Sequence, residues 1–192
     1  DQAEARPKSY LRLAEAAGAG GGDPWAFTLR LHAEEKDEAE AMLGPAAGRR
    51  RVGLAPGSVA PSRRWPIANY ARLADRLMRA GSQVVLVGSA QDAEAARAVA
   101  REAARQPLVL AGKTTLRQGM AVIAQLDLLV SNDSGAMHLA YAQHVPVLAL
   151  QGAADPRVTG PFGPAGRALR SEAFACVPCV KNRCPRRDMA CM

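Results

Sequence analysis

From residue 52 onward the chain alternates between short apolar runs and longer segments with helical spacing. The apolar runs are Val52 to Leu54, Val84 to Val87, Leu108 to Leu110, Leu128 to Val130 and Val147 to Leu150. Between them, over 67–80, 93–105, 116–125 and 135–143, apolar residues recur as they do on one face of a helix. Short aliphatic runs without polar alternation suit strands buried on both faces, and the amphipathic spans suit helices that cover them. The order βαβαβαβαβ therefore predicts a parallel sheet with right-handed crossovers, an α/β, Rossmann-like, doubly wound domain.

The first fifty residues are less regular. A helical pattern over 10–17 stops at Gly18, Ala19, Gly20, Gly21 and Gly22, "WAFTLRLH" (25–32) alternates like a strand, and "EEKDEAEAML" (34–43) reads as a charged helix. None of these could bury a core alone. The expected organisation is residues 1–46 as the remnant of a preceding domain with its linker, and 47–192 as a ligand-binding domain with a cysteine-rich tail. The segment "GPAAGRRR" (44–51) marks the boundary. The first residue is Asp, with nothing like a translation start before it, so the sequence reads as part of a longer chain.

Charge narrows the partners. Residues 1–50 hold seven basic and nine acidic side chains, whereas 51–192 hold eighteen and nine, so the excess of +7 lies wholly in the second part. Such a surface suits phosphorylated ligands, an anionic membrane face or nucleic acid. Aromatic residues make up 4% of the chain and do not interleave with the Lys and Arg clusters, which disfavours single-strand binding by stacking. No apolar run is long enough to span a bilayer, and residues 1–20 lack the pattern of an export signal; the expectation is a soluble, cytoplasmic protein.

In an open parallel sheet, ligands sit at the carboxyl ends of the strands, where helix N-termini converge. The five predicted strands exit into "APGSVAPSRRWP", "GSAQD", "AGKTT", "SNDSG" and "QGAADP", each carrying Gly with a hydroxyl or a charge, while the opposite rim has plainer turns such as "RAGSQ". With Ser134 as N-cap, the amides of Gly135, Ala136 and Met137 would face outward at the positive end of a helix dipole, and His138 would lean toward the same place. A phosphate fits there; Asp133, a poor phosphate partner, suits sugar hydroxyls. Ordinary capping is the alternative reading. Arg63 and Arg64 precede Pro66 at a helix start and could clamp a diphosphate over the small residues Gly57 and Ser58. Neither a dinucleotide-binding G-x-G-x-x-G nor a complete P-loop is present.

The tail "CVPCVKNRCPRRDMAC" places Cys176, Cys179, Cys184 and Cys191 at C-x2-C-x4-C-x6-C. Four thiolates so spaced could hold zinc, with reduced thiols, disulfides and an iron–sulfur cluster as the other readings.

Taken in order, "PGS…RRWP", "VGSAQDAEAA", "AGKTTL", "SNDSGAMHLA", "QGAADP" and "CVPCVKNRC…C" resemble the C-terminal half of the ADP-heptose:lipopolysaccharide heptosyltransferases over residues 50–192, and more loosely before that. The resemblance implies one half of a GT-B glycosyltransferase, in which two Rossmann-like domains face each other across a cleft. It also implies transfer of heptose from ADP-heptose to the lipopolysaccharide core, at the inner face of the inner membrane, with no required cofactor and no nucleic acid. Ser58 and Arg63 would then meet the diphosphate, Asp92 the ribose, the backbone near Thr114 the adenine and Asp133 the heptose, while Ser134, Gly135 and His138 hold the phosphates. The family's catalytic aspartate lies in the N-terminal domain, so none is expected in this chain, and the chain alone is expected to be inactive. Arg63 stands where the family has Lys in K-x-W-P, and Ala154 replaces a frequent hydroxyl. The rivals are another nucleotide-sugar enzyme of the same fold and a non-catalytic binding module with a zinc-bound tail.

Overall fold

The computed structural model describes residues 4–23 and 28–192. Its elements are α1 (Arg6–Ala16), α2 (Ala33–Leu43), β1 (Arg51–Ala55), α3 (Ile67–Arg79), β2 (Gln83–Leu86), α4 (Ala93–Glu102), β3 (Leu108–Val109), α5 (Leu116–Ala124), β4 (Leu128–Asn132), α6 (Gly135–Ala142), β5 (Val147–Leu150), α7 (Pro156–Thr159) and β6 (Gly166–Leu169). All six strands are parallel and lie in the order β3-β2-β1-β4-β5-β6. The order reverses between β1 and β4, which is the switch point of a doubly wound sheet. The expected Rossmann-like architecture is present.

Two apolar layers cover the sheet. One joins Val85, Val87 and Leu129 to residues of α2, α5 and α6, and the other joins Leu54, Val84 and Leu86 to Tyr70, Ala74, Ala96 and Val99 of α3 and α4. The strands are short and flanked on both faces, which is why their sequences show no polar alternation. Helix α5 begins with a reciprocal cap in which Gln118 N donates to Thr115 Oγ1 at 3.2 Å and Thr115 N donates to Gln118 Oε1 at 3.0 Å. Helix α4 ends earlier than its periodicity predicts, because the Asp75 carboxylate accepts hydrogen bonds from the amides of Ala104 and Arg105.

Three features of the periphery were not foreseen from the sequence. Helix α2 is part of the domain's own packing: Ala39 and Leu43 are buried in the same layer as α5, and Arg51, expected in a linker, is the first residue of β1. Its side chain is 8% exposed and reaches both carboxylate oxygens of Glu40 at 2.6 Å. A buried guanidinium needs such a partner, and Glu40 on α2 supplies it. The strand expected over 25–32 falls partly on residues outside those described; Thr28 to His32 form no strand. Instead Leu29 N donates to Ala142 O and Gln143 Nε2 donates to Leu29 O, so this segment runs past the end of α6. Strand β6 was not expected, since "GRAL" is brief, exposed and set in a Gly- and Pro-rich stretch.

Candidate functional site: a cavity at the switch point

The turn after β1 and the turn after β4 meet where the strand order reverses, and one side chain holds them together. Asn132, fully buried at the end of β4, donates from Nδ2 to Pro56 O at 2.8 Å and accepts at Oδ1 from Trp65 N at 3.0 Å and Tyr70 OH at 3.1 Å. Every part of its amide is used, so the last residue of β4 serves the scaffold. Trp65 packs edge-on to Tyr70 with ring centroids 5.0 Å apart, as a packing residue should. Burial of Tyr70 pushes its hydroxyl pKa far up, so it stays a neutral donor.

On this frame stands a cavity of about 1000 Å³, lined by all nine residues expected to contact a donor: Gly57, Ser58, Arg63, Asp92, Thr114, Asp133, Ser134, Gly135 and His138. Its size is near the upper end of ordinary ligand pockets. At one end Val87, Leu110, Leu116, Val122 and Ile123 make an apolar wall beside Thr114. At the centre are Arg63 and the first turn of α6. Toward β5 the lining becomes polar again, with Asp133, Thr159 and Asn182.

Asp133 is 4% exposed at its side chain and receives Arg63 Nη1 at 2.7 Å. The Nε of Arg63 is buried without a hydrogen-bond partner. An orphaned charged donor of this kind is costly unless an acceptor arrives, and an anionic ligand is the natural acceptor. Ser58 is also buried, but its hydroxyl donates to Asp133 O at 3.1 Å, which leaves its amide and the oxygen lone pairs for a ligand. Asp92 accepts at Oδ2 from Ser89 N at 2.9 Å and Ser89 Oγ at 2.6 Å, and its Oδ1 lies over Gly57. A Cβ on Gly57 would sit 1.9 Å from that oxygen, so only glycine allows this approach.

Ser134 takes the N-cap position of α6 without capping through its side chain; its hydroxyl pairs with Ser131 Oγ at 3.2 Å. The amides of Gly135 and Ala136 precede the first intrahelical bond, but that of Met137 donates to Ser134 O at 3.2 Å, so two amides rather than three are offered. The space in front of Gly135 is open. His138 is exposed to the cavity while standing among its walls. This partial loss of water lowers its pKa, the Asp133 carboxylate opposes that change, and the charge of Arg6 adds to it. Arg6, Thr159 and Asn182 were not expected at the site; Arg6 is one of three cations on α1, with Lys8 and Arg12, and no motif singles it out, while Thr159 lies past the last strand exit and Asn182 lies between the cysteines.

The zinc expectation for the tail is not met. Among the described residues no three His, Cys, Asp or Glu side chains gather as metal ligands would, and all four cysteines are free. Their surroundings diverge. The amides of Met189, Arg186 and Arg187 hold the Cys184 thiol below its usual range, whereas burial pushes the Cys191 thiol up against Gly152. No described helix is long and apolar enough to cross a membrane.

A parallel sheet with a cavity at its switch point, bordered by an orphaned arginine donor and a helix N-terminus, defines a doubly wound domain of the Rossmann type. The profile of glycosyltransferase family 9 (heptosyltransferase) matches residues 9–190, and the chain belongs to that family. Lipopolysaccharide heptosyltransferase 2 of Salmonella typhimurium is 41% identical over 124 residues, 62% of this chain and 36% of that protein. The solved structure of the E. coli ADP-heptose LPS heptosyltransferase II superimposes with a TM-score of 0.70 at 35% identity, covering 77% of this chain and 46% of that one. A family 9 glycosyltransferase from Veillonella parvula gives 0.80 at 27% identity, covering 88% and 50%. The chain thus spans half or less of the length of these proteins.

Proposed function

We propose that this chain forms the donor-binding part of a glycosyltransferase that moves heptose from ADP-heptose to a hydroxyl of the lipopolysaccharide core, as one half of a GT-B enzyme. The observation that carries the reading is the orphaned Nε of Arg63 beside the first turn of α6, midway between an apolar end and a polar end of one cavity. Adenine would lie along the apolar wall near the backbone of Thr114, and the ribose hydroxyls would face Asp92. Arg63, the Ser58 amide, Ser134, Gly135 and His138 would surround the diphosphate, and Asp133 would accept from sugar hydroxyls.

In the transfer, the acceptor hydroxyl attacks the anomeric carbon, the bond from that carbon to the diphosphate oxygen breaks, and ADP leaves with the electron pair. The proton of the acceptor hydroxyl goes to a general base, which the family resemblance puts in the facing domain. The contribution of this chain is to stabilise negative charge as it grows on the leaving diphosphate. The guanidinium and the two amides are already oriented for that, and a neutral His138 can become imidazolium as the charge develops. The excess of basic residues after position 50 would suit work in the cytoplasm at the anionic inner face of the membrane.

Calorimetric titration with ADP, UDP and GDP tests the reading. ADP is expected to bind the tightest. Equal or tighter binding of UDP would remove the ADP-heptose assignment and favour another nucleotide-sugar enzyme of the same fold.

A further inference from the structure

The cysteine-rich tail returns to the rim of the sheet. Val180 N donates to Ala153 O at 2.7 Å, beyond β5, and Ser62 N donates to Asn182 O at 3.2 Å. The Ser62 hydroxyl also bonds Lys181 O. Ser62 is 3% exposed and immediately precedes Arg63, so residues 180–182 are fastened to the turn that carries the central guanidinium. This path brings Asn182 to the cavity wall, where its carboxamide has no partner within the described protein. It stands on the β5 side with Thr159, whose hydroxyl donates to Asp155 O at 3.2 Å and keeps its lone pairs free.

The cavity is polarised along the sheet. The apolar wall lies at the β2 and β3 exits and under α5, while Asp133, Thr159 and Asn182 lie at the β4 and β5 exits, with the Arg63 and α6 anion site between. A nucleoside diphosphate sugar has the same sequence of parts: flat base, two anionic groups, polyhydroxylated ring. A neutral carboxamide can donate to one hydroxyl and accept from its neighbour, whereas a carboxylate such as Asp133 can only accept from them.

We propose that the tail is the sugar-facing wall of the donor cavity and that Asn182 is a specificity-determining residue that hydrogen-bonds the glycosyl hydroxyls of the donor. This rests on the donor-site reading above. It also gives the tail a task independent of its thiols: the turns between the cysteines hold one amide at a set distance from Arg63.

The test compares ADP with ADP-heptose by calorimetry on the unaltered chain, on Asn182→Ala and on Lys181→Ala, an exposed neighbour outside the cavity. Asn182→Ala is expected to bind ADP within about twofold of the unaltered chain and to bind ADP-heptose roughly five- to tenfold more weakly, the effect of one neutral hydrogen bond. Lys181→Ala should change neither by more than about twofold. Equal losses for both ligands in Asn182→Ala would mean that the residue acts through the Ser62 turn on Arg63, and would overturn the proposal. No loss for either ligand would overturn it while leaving the donor site standing. Failure of the unaltered chain to bind ADP and ADP-heptose would sink the donor-site reading and this proposal with it.

Discussion

Arg63 Nη1 donates to Asp133 Oδ2 across 2.7 Å, and the two residues come from the turns on either side of the point where the strand order reverses. Each side chain thereby neutralises the other. On the donor-site reading, an arriving diphosphate would have to share the guanidinium with a carboxylate that is 4% exposed and cannot turn to water. The two partners therefore differ in what their removal does.

Arg63→Ala should lower ADP affinity by roughly 10- to 100-fold, the range for a lost charge-assisted hydrogen bond. It also strands a buried carboxylate, so the thermal midpoint should fall. Asp133→Ala leaves a guanidinium that is 27% exposed and can find water, so its stability loss should be smaller. ADP affinity should hold or rise in that variant while the preference for ADP-heptose over ADP shrinks. Calorimetry and thermal melts on both variants check this; unchanged ADP binding in Arg63→Ala would remove the arginine from the site.

The His138 imidazole is held below its ordinary pKa by its setting in the cavity. The unfolded chain therefore takes up a proton at a pH where the folded chain has not, and stability should decline as pH falls through about 6.5 toward the folded value. A bound diphosphate favours the imidazolium and reverses the shift. ADP should accordingly bind with proton uptake and more tightly at pH 6 than at pH 7.5, and His138→Ala should flatten that dependence. Titration in buffers of different ionisation enthalpy measures the uptake; none at either pH would exclude the histidine from the phosphate contact.

Gly57→Ala should damage the site without touching a ligand. The new Cβ would fall 2.6 Å from the Cβ of Asp92 as well as on its carboxylate, so rotation of a flexible tip cannot relieve the clash. Asp92 must leave its bonds to Ser89, and the β1 and β2 exits must separate. ADP affinity should drop at least tenfold, with a stability loss of about 1–3 kcal/mol from the crowding. Retained affinity would show that the ribose does not depend on Asp92.

Helix α2 should detach under acid before the sheet melts. The Arg117 guanidinium, aided by the His32 amide, lowers the Glu35 carboxyl to about 2, and Arg51 lowers that of Glu40. Carboxylates with depressed folded pKa values contribute above the unfolded value of about 4.5 and lose that contribution as pH falls toward 2. Hydrogen exchange over residues 33–43 should accelerate across that window ahead of β1 and β4. Simultaneous exchange of both regions would mean that apolar packing of Ala39 and Leu43 suffices to hold the helix.

The parallel sheet and the rim of the site were legible because strands buried on both faces leave unbroken apolar runs, and because small and polar residues interrupt the pattern at each strand end. The roles within the rim were less legible. In "SNDSG" the same few letters hide a scaffold amide at Asn132, an ion-pair partner at Asp133 and a helix opening at Ser134 and Gly135; which is which depends on partners dozens of positions away. Arg51 looked like linker charge because its partner Glu40 sits on a helix whose own composition says only that it is polar. Asn182 was hidden by the cysteines around it, since a metal-like spacing draws attention to thiols and away from the residues between them. Strand β6 carries too little apolar character to announce itself, since it only extends an existing edge.

Asn132 links the exit of β1, the start of α3 and the end of β4 through one amide. Two loops that differ in sequence, after β1 and after β4, are consequently bolted to a single post, and their tips can be altered while the spacing of the roots persists. On the proposed donor-site reading, such a rim would work like a gauge block for two linked phosphates. Discrimination among bases and sugars would then be left to the two ends, where the walls can be rebuilt residue by residue.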